Sequence, residues 1–143
     1  MEGAMVVVVA YDGSEDVKEG IKHLSKFLEG KDDKVYLLYV VALREDMEKE
    51  EISSLKEKGK KLLEEGKSLL PESISLETVL LEDYSVAEAI LNYVNKVSAD
   101  LLIMGARGTR PDVIRYTLGS TAGKVVAFSP CSVYIVRKRA KTE

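Results

Sequence analysis

A doubly wound α/β domain, with a five-stranded parallel sheet in the order 3-2-1-4-5 and helices on both faces, is the fold class predicted by this sequence. Two observations carry that expectation. Short apolar segments alternate with longer amphipathic ones, giving the order βαβαβαβαβ, and strands separated by helices pair in parallel. Several of the apolar segments are continuous rather than alternating, as strands covered on both faces should be. A length of 143 residues suits one domain, 1–143, which can bury roughly two thirds of its unfolded surface in a single core.

The first strand is read over 5–11, where four consecutive valines precede Asp12-Gly13-Ser14. Ser14 is the expected cap of the next helix. Glu15 and Asp16 complement its dipole, and Val17, Ile21, Leu24 and Leu28 recur at helical spacing before Gly30. Residues 35–42, VYLLYVVA, form the second strand. A long charged helix is expected over 44–70, its inner stripe at Ile52, Leu55, Gly59, Leu62, Gly66 and Leu69. The two glycines each cost about 1 kcal/mol of helix propensity, which points to close approach of helix and sheet. Pro71 ends that helix, and 74–81 form the third strand. Ser85-Val86-Ala87-Glu88 is a capping box, followed by an inner stripe of Val86, Ile90, Tyr93 or Val94, and Val97. The fourth strand is expected over 101–104, a short helix over 120–128 with Ser120 as its N-cap, and the fifth strand over 132–136.

Composition removes several function classes. The formal charge of -3 gives no basic excess for nucleic-acid binding. The apolar run near the N-terminus is too short for a signal peptide core or a membrane span, and the single Cys131 suits a reducing compartment, so a cytoplasmic protein is expected. His23 is the sole histidine and lies one position off the apolar stripe of its helix. One histidine and one cysteine do not make a zinc site of the usual kind, and no nucleophile and base are seen together. The run Glu45, Asp46, Glu48, Glu50, Glu51 reads as a solvated helix face. No catalytic residue and no metal ligand is assigned.

In the predicted winding the strand order reverses between the first and fourth strands, and ligands of open α/β sheets bind beyond the carboxyl ends at such a point. The loops leaving those strands are YDGS at 11–14 and MGARG at 104–108. Gly119 and Ser120 open the next helix, where free N–H groups and the positive end of the dipole favour an anion such as phosphate. Asp12, an acceptor, is better suited to a ribose hydroxyl or a base amino group. The segment matches neither the P-loop nor the dinucleotide glycine signature.

These residues resemble the nucleotide-binding members of the universal stress protein family, nearly end to end: VVVVAYDGSE, VYLLYVV, SADLLIMGARG, LGSTAGKV and SPCSVYIVR. The family pattern G-x2-G-x9-G-[ST] falls on Gly105, Gly108, Gly119 and Ser120, with ten residues rather than nine between Gly108 and Gly119. The resemblance implies that Asp12 and the backbone of Val40 meet adenosine, that Met104, Gly105, Arg107 and Gly108 line ribose and phosphates, and that Gly119, Ser120 and Thr121 cradle the phosphates. It implies ATP as ligand, with Mg or Mn carried by the phosphates, and a homodimer through strand 132–136 that serves a protein partner in the stress response. The resemblance also implies that some relatives lack the motif and bind no nucleotide. Action by protein contacts alone therefore stands as the alternative, and weak ATP hydrolysis as a third possibility.

Overall fold

In the computed structural model, which describes residues 4–24, 26–28, 32–107 and 118–139, the sheet is the one expected. The elements are β1 (Val6–Ala10), α1 (Glu15–Leu24), β2 (Lys34–Ala42), α2 (Lys49–Ser68), β3 (Ser75–Asp83), α3 (Val86–Lys96), β4 (Leu101–Gly105), α4 (Ser120–Phe128) and β5 (Ser132–Val136). Five strands run in the order β3-β2-β1-β4-β5, every neighbouring pair parallel.

Side chains of successive strand residues leave opposite faces of the sheet, and two apolar layers result. Val7, Val9, Val35, Leu37, Leu101 and Ile103 face α1 and α2, packing on Val17, Ile21, Leu24 and Leu63. Val8, Leu38, Leu102 and Met104 face α3 and α4, packing on Ile90, Val94, Ala122 and Val125. The central β1 and its neighbour β4 are deeply covered, Val7, Val8 and Val9 having no exposed surface and every β4 residue being buried.

The two α2 glycines behave as their placement predicts. A Cβ on Gly59 would lie 2.7 Å from the Tyr39 ring, and one on Gly66 would lie 2.8 Å from Leu37 and 3.2 Å from the Tyr11 ring. Glycine therefore sets how near α2 lies to the sheet. Tyr11 is buried, and its hydroxyl donates to Glu65 on α2.

Several boundaries differ from the sequence reading. Helix α2 starts at Lys49 rather than 44, because the chain first pairs Leu43 N–H with Asp83 O and then turns with Met47 N–H on Arg44 O. Leu69 is its C-cap and is exposed, while Leu70 is the residue that enters the core. Helix α1 spans Glu15–Leu24, and past it Lys26 N–H bonds His23 O and Phe27 N–H bonds Leu24 O in i→i+3 turns. At α3, Ser85 Oγ accepts the Glu88 N–H at 3.1 Å, but the Ser85 N–H goes to Asp83, so only half of the capping box forms. Glu88 instead pairs with Lys124 at 3.0 Å.

Candidate functional site

The carboxyl ends of β1 and β4 lie side by side, with Ala10 in register with Met104, so the loops that leave them share one crevice. On the β1 side the backbone is locked. Asp12 Oδ1 accepts the Ser14 N–H at 2.9 Å, and Gly13 takes φ +79, where a Cβ would also lie 2.8 Å from Leu62. Ser14 Oγ accepts the Val17 N–H at 3.2 Å, confirming Ser14 as the cap of α1. Asp12 thus spends one oxygen on the turn, and its Oδ2 has no hydrogen-bond partner among the described residues. Tyr39 lies close enough to matter: burial, and then the charge of Asp12, push its phenol above the usual tyrosine range.

On the β4 side, Met104 is buried beneath the crevice and Gly105 is a packing residue. A Cβ there would sit 3.1 Å from Asp16 Cβ and 3.2 Å from Ser14 Oγ, so glycine lets the first turn of α1 lie against the end of β4. Arg107 points back to that same turn. Its Nε donates to Asp16 Oδ2 at 2.8 Å and its Nη2 to Asp16 Oδ1 at 2.6 Å. The pair is bidentate, and the Asp16 residue is 3% exposed. Burial pushes the Asp16 carboxyl up, but the Arg107 hydrogen bonds and the Lys138 backbone N–H outweigh it and hold the group below the usual aspartate range.

The start of α4 is tied to the same strand end. Gly119 N–H donates to Ala106 O at 2.7 Å, and a Cβ on Gly119 would stand 3.2 Å from that oxygen. This tie leaves Gly119 extended, at φ -61 and ψ 158, so Gly119 is the N-cap and Ser120 is the first helical residue, one position from the sequence expectation. Among the described residues no side chain caps α4, and the first intrahelical acceptor, Gly119 O, is taken by Gly123 N–H at 2.8 Å. The N–H groups of Ser120, Thr121 and Ala122 therefore have no intrahelical acceptor. Ser120 is exposed and Thr121 half-buried.

The structure brings Asp12, Met104, Gly105, Arg107, Gly119, Ser120 and Thr121 to one end of the sheet. Val40, half-buried, sits at the same end of β2, two residues beyond the Leu38 that pairs with Ala10. Gly108 lies outside the described residues. Two residues were missed by sequence reasoning. In the sequence Asp16 reads only as a charge for the helix dipole, and Lys138 falls in the charged stretch after the fifth strand with no role assigned. Their meeting joins residues 122 positions apart, which no local pattern signals. Among the described residues no cluster of His, Cys, Asp and Glu is placed to hold a metal, and no helix is long and apolar enough to cross a membrane.

Residues 4–137 match the universal stress protein family. Universal stress protein MJ0531 of Methanocaldococcus jannaschii is 33% identical, over 94% of this chain and 83% of its own length. The fold is similar to that of hypothetical protein MJ0577, whose biochemical function was assigned from its structure, at TM-score 0.82 and 24% identity over 96% of this chain and 98% of that one. It is similar as well to the universal stress protein from Archaeoglobus fulgidus in complex with dAMP, at TM-score 0.69 and 18% identity over 96% of this chain and all (100%) of that one. With the family pattern matched across nearly its whole length, this chain belongs to the universal stress protein family.

Proposed function

We propose that this chain binds an adenine nucleotide, ATP by preference, in the crevice between β1 and β4, and that as a cytosolic homodimer it reports nucleotide state or stress to a protein partner. The observation that carries the reading is the start of α4, without a side-chain cap among the described residues, whose three amides lack intrahelical acceptors and are fixed against β4 by the Gly119 to Ala106 hydrogen bond. A polyphosphate supplies the acceptors such a terminus needs, and it meets the positive end of the helix dipole. Across the crevice the Asp12 oxygen left without a partner among the described residues suits a ribose hydroxyl or the base amino group. The dAMP complex of the Archaeoglobus fulgidus relative supports the adenine class.

The donor set fits phosphates held by backbone rather than by side-chain charge. Arg107, implied by the family likeness to line the phosphates, has most of its charge answered by Asp16. A Mg or Mn ion would enter on the phosphates themselves. The ten-residue spacer favours the second reading, a family member without nucleotide, but the tie at Gly119 holds α4 in place whatever the length of the excursion before it.

The test is mass spectrometry of the small molecules released when the purified protein is denatured, together with ATP titration calorimetry. Adenine nucleotide in the released fraction and heat of ATP binding are expected. Gly119→Val, which drives carbon into the Ala106 carbonyl, should abolish that heat with the fold intact by circular dichroism. A wild-type chain that releases and binds no adenine nucleotide would support action by protein contacts alone.

A further inference from the structure

Asp16 is a buried carboxylate with three claims on it. Oδ2 accepts Arg107 Nε at 2.8 Å, and Oδ1 accepts Arg107 Nη2 at 2.6 Å and the backbone N–H of Lys138 at 2.7 Å. One side chain on α1 therefore ties the loop leaving β4 to the strap that follows β5. The strap is fastened again by Lys138 Nζ on Glu15 Oε1 at 3.1 Å. The loop is fastened twice more, since Ala106 N–H donates to Val136 O at 2.9 Å and Ala106 O receives the Gly119 N–H at 2.7 Å. Hydrogen bonds thus run from the strap through Asp16 to Arg107, and the adjoining residue Ala106, one peptide bond away, holds the residue that caps α4.

We propose that Asp16 is a positioning residue of the phosphate half of the nucleotide site, and that the 137–139 strap belongs to that site although it faces no ligand itself. The proposal rests on the adenine-nucleotide reading and deepens it. The physical argument concerns direction. The α4 amides act on a phosphate only while Ala106 O stays in place to receive Gly119, and Ala106 stands next to Arg107. Arg107 could swing toward solvent at little cost unless a desolvated partner holds it. A 3% exposed carboxylate gripping the guanidinium twice supplies that hold. The carboxylate is itself oriented by the Lys138 amide, so loss of one backbone N–H from the strap loosens the hold on Arg107 and the loop that carries it. Two charged partners left imperfectly satisfied in a buried place cost more than an exposed pair would.

The decisive variants are Lys138→Pro, which removes the strap amide, and Lys138→Ala, which keeps the amide and removes only the Glu15 contact. Lys138→Pro is expected to weaken ATP about tenfold and leave adenosine within about twofold, while Lys138→Ala leaves both within about twofold. Asp16→Asn, which turns an amide N–H toward a guanidinium, should match Lys138→Pro. General damage to the fold would weaken adenosine as well, so the split between the two ligands separates positioning from mere stability. Hydrogen exchange on the ligand-free protein supplies an independent reading: the Gly119 amide should exchange about tenfold faster in Lys138→Pro than in wild type. If the wild-type chain binds neither ATP nor adenosine, the nucleotide reading fails, and the exchange rates alone then decide the linkage. Wild-type behaviour of Lys138→Pro in exchange, or equal losses for ATP and adenosine, would overturn the proposal.

Discussion

Asp12 has two tasks on two oxygens, and they can be separated. Oδ1 holds the turn through Ser14 N–H, whereas Oδ2 is unspent among the described residues. Asp12→Ala should weaken ATP by at least about tenfold while inorganic triphosphate changes little, because the proposed partner of Oδ2 is the adenosine half. Calorimetry with both ligands checks this, and equal losses would reduce Asp12 to a turn residue. Asp16 makes a different prediction, in acid. Its carboxyl titrates below the usual range in the folded chain, so its contribution to stability is complete above about pH 4 and is lost as the pH falls through the lower, folded-state value. Chemical denaturation between pH 5 and 2 should show wild type losing stability more steeply than Asp16→Asn. At this scale the sequence was only partly readable. Ser14, Gly13 and Gly119 announce themselves by type and position, but Arg107 stands 91 positions from Asp16, and nothing in either neighbourhood marks them as partners.

Helix α2 shows what a glycine in a helix is for. A methyl group at Gly66 recovers about 1 kcal/mol of helix propensity. It also enters a space bounded by Leu37, which has no exposed surface, and by the ring of Tyr11, and overpacking of that kind costs about 1–3 kcal/mol. The overpacking wins: Gly66→Ala should lower stability by about 1 kcal/mol in urea denaturation, where a gain would show that the seam has room. The glycines were legible because their spacing fell on the apolar stripe. The start of α2 was not legible, because charged residues at 44–48 satisfy helical and non-helical backbone equally well. What excludes them is the Leu43 bond to Asp83, which carries the chain one residue past β2 along the end of β3. The capping box at α3 failed in half for a similar reason, since Asp83 reached the Ser85 N–H from outside the helix.

For the whole molecule, topology was the most legible property, because five apolar segments separated by helices admit few windings and the right-handed crossover selects among them. The same topology leaves β5 at an edge, its Val133, Tyr134 and Ile135 half-buried and without charge. Val126 and Phe128 on α4 are 47% and 69% exposed. We expect pairing of β5 with its own copy about a two-fold axis, which would satisfy both rows of edge groups. Tyr134 is a poor probe of this, since its hydroxyl lies 2.7 Å from His23 Nδ1 and its ring packs on Phe27. Val133→Lys puts a charge on the edge but also touches the layer under α3 and α4, so circular dichroism must show its fold intact: light scattering should then report twice the chain mass for wild type and a shift to monomer for the variant, and a wild-type monomer at tens of micromolar would refute the pairing. The tie between Gly119 and Ala106 reaches beyond this one chain. When an excursion is pinned at its base, adding a residue to one of ten changes the closure entropy by only about 0.1 kcal/mol. A spacer whose length costs so little is a weak marker of nucleotide binding wherever the same tie is made, and a small residue able to dock at position 119 is the better one.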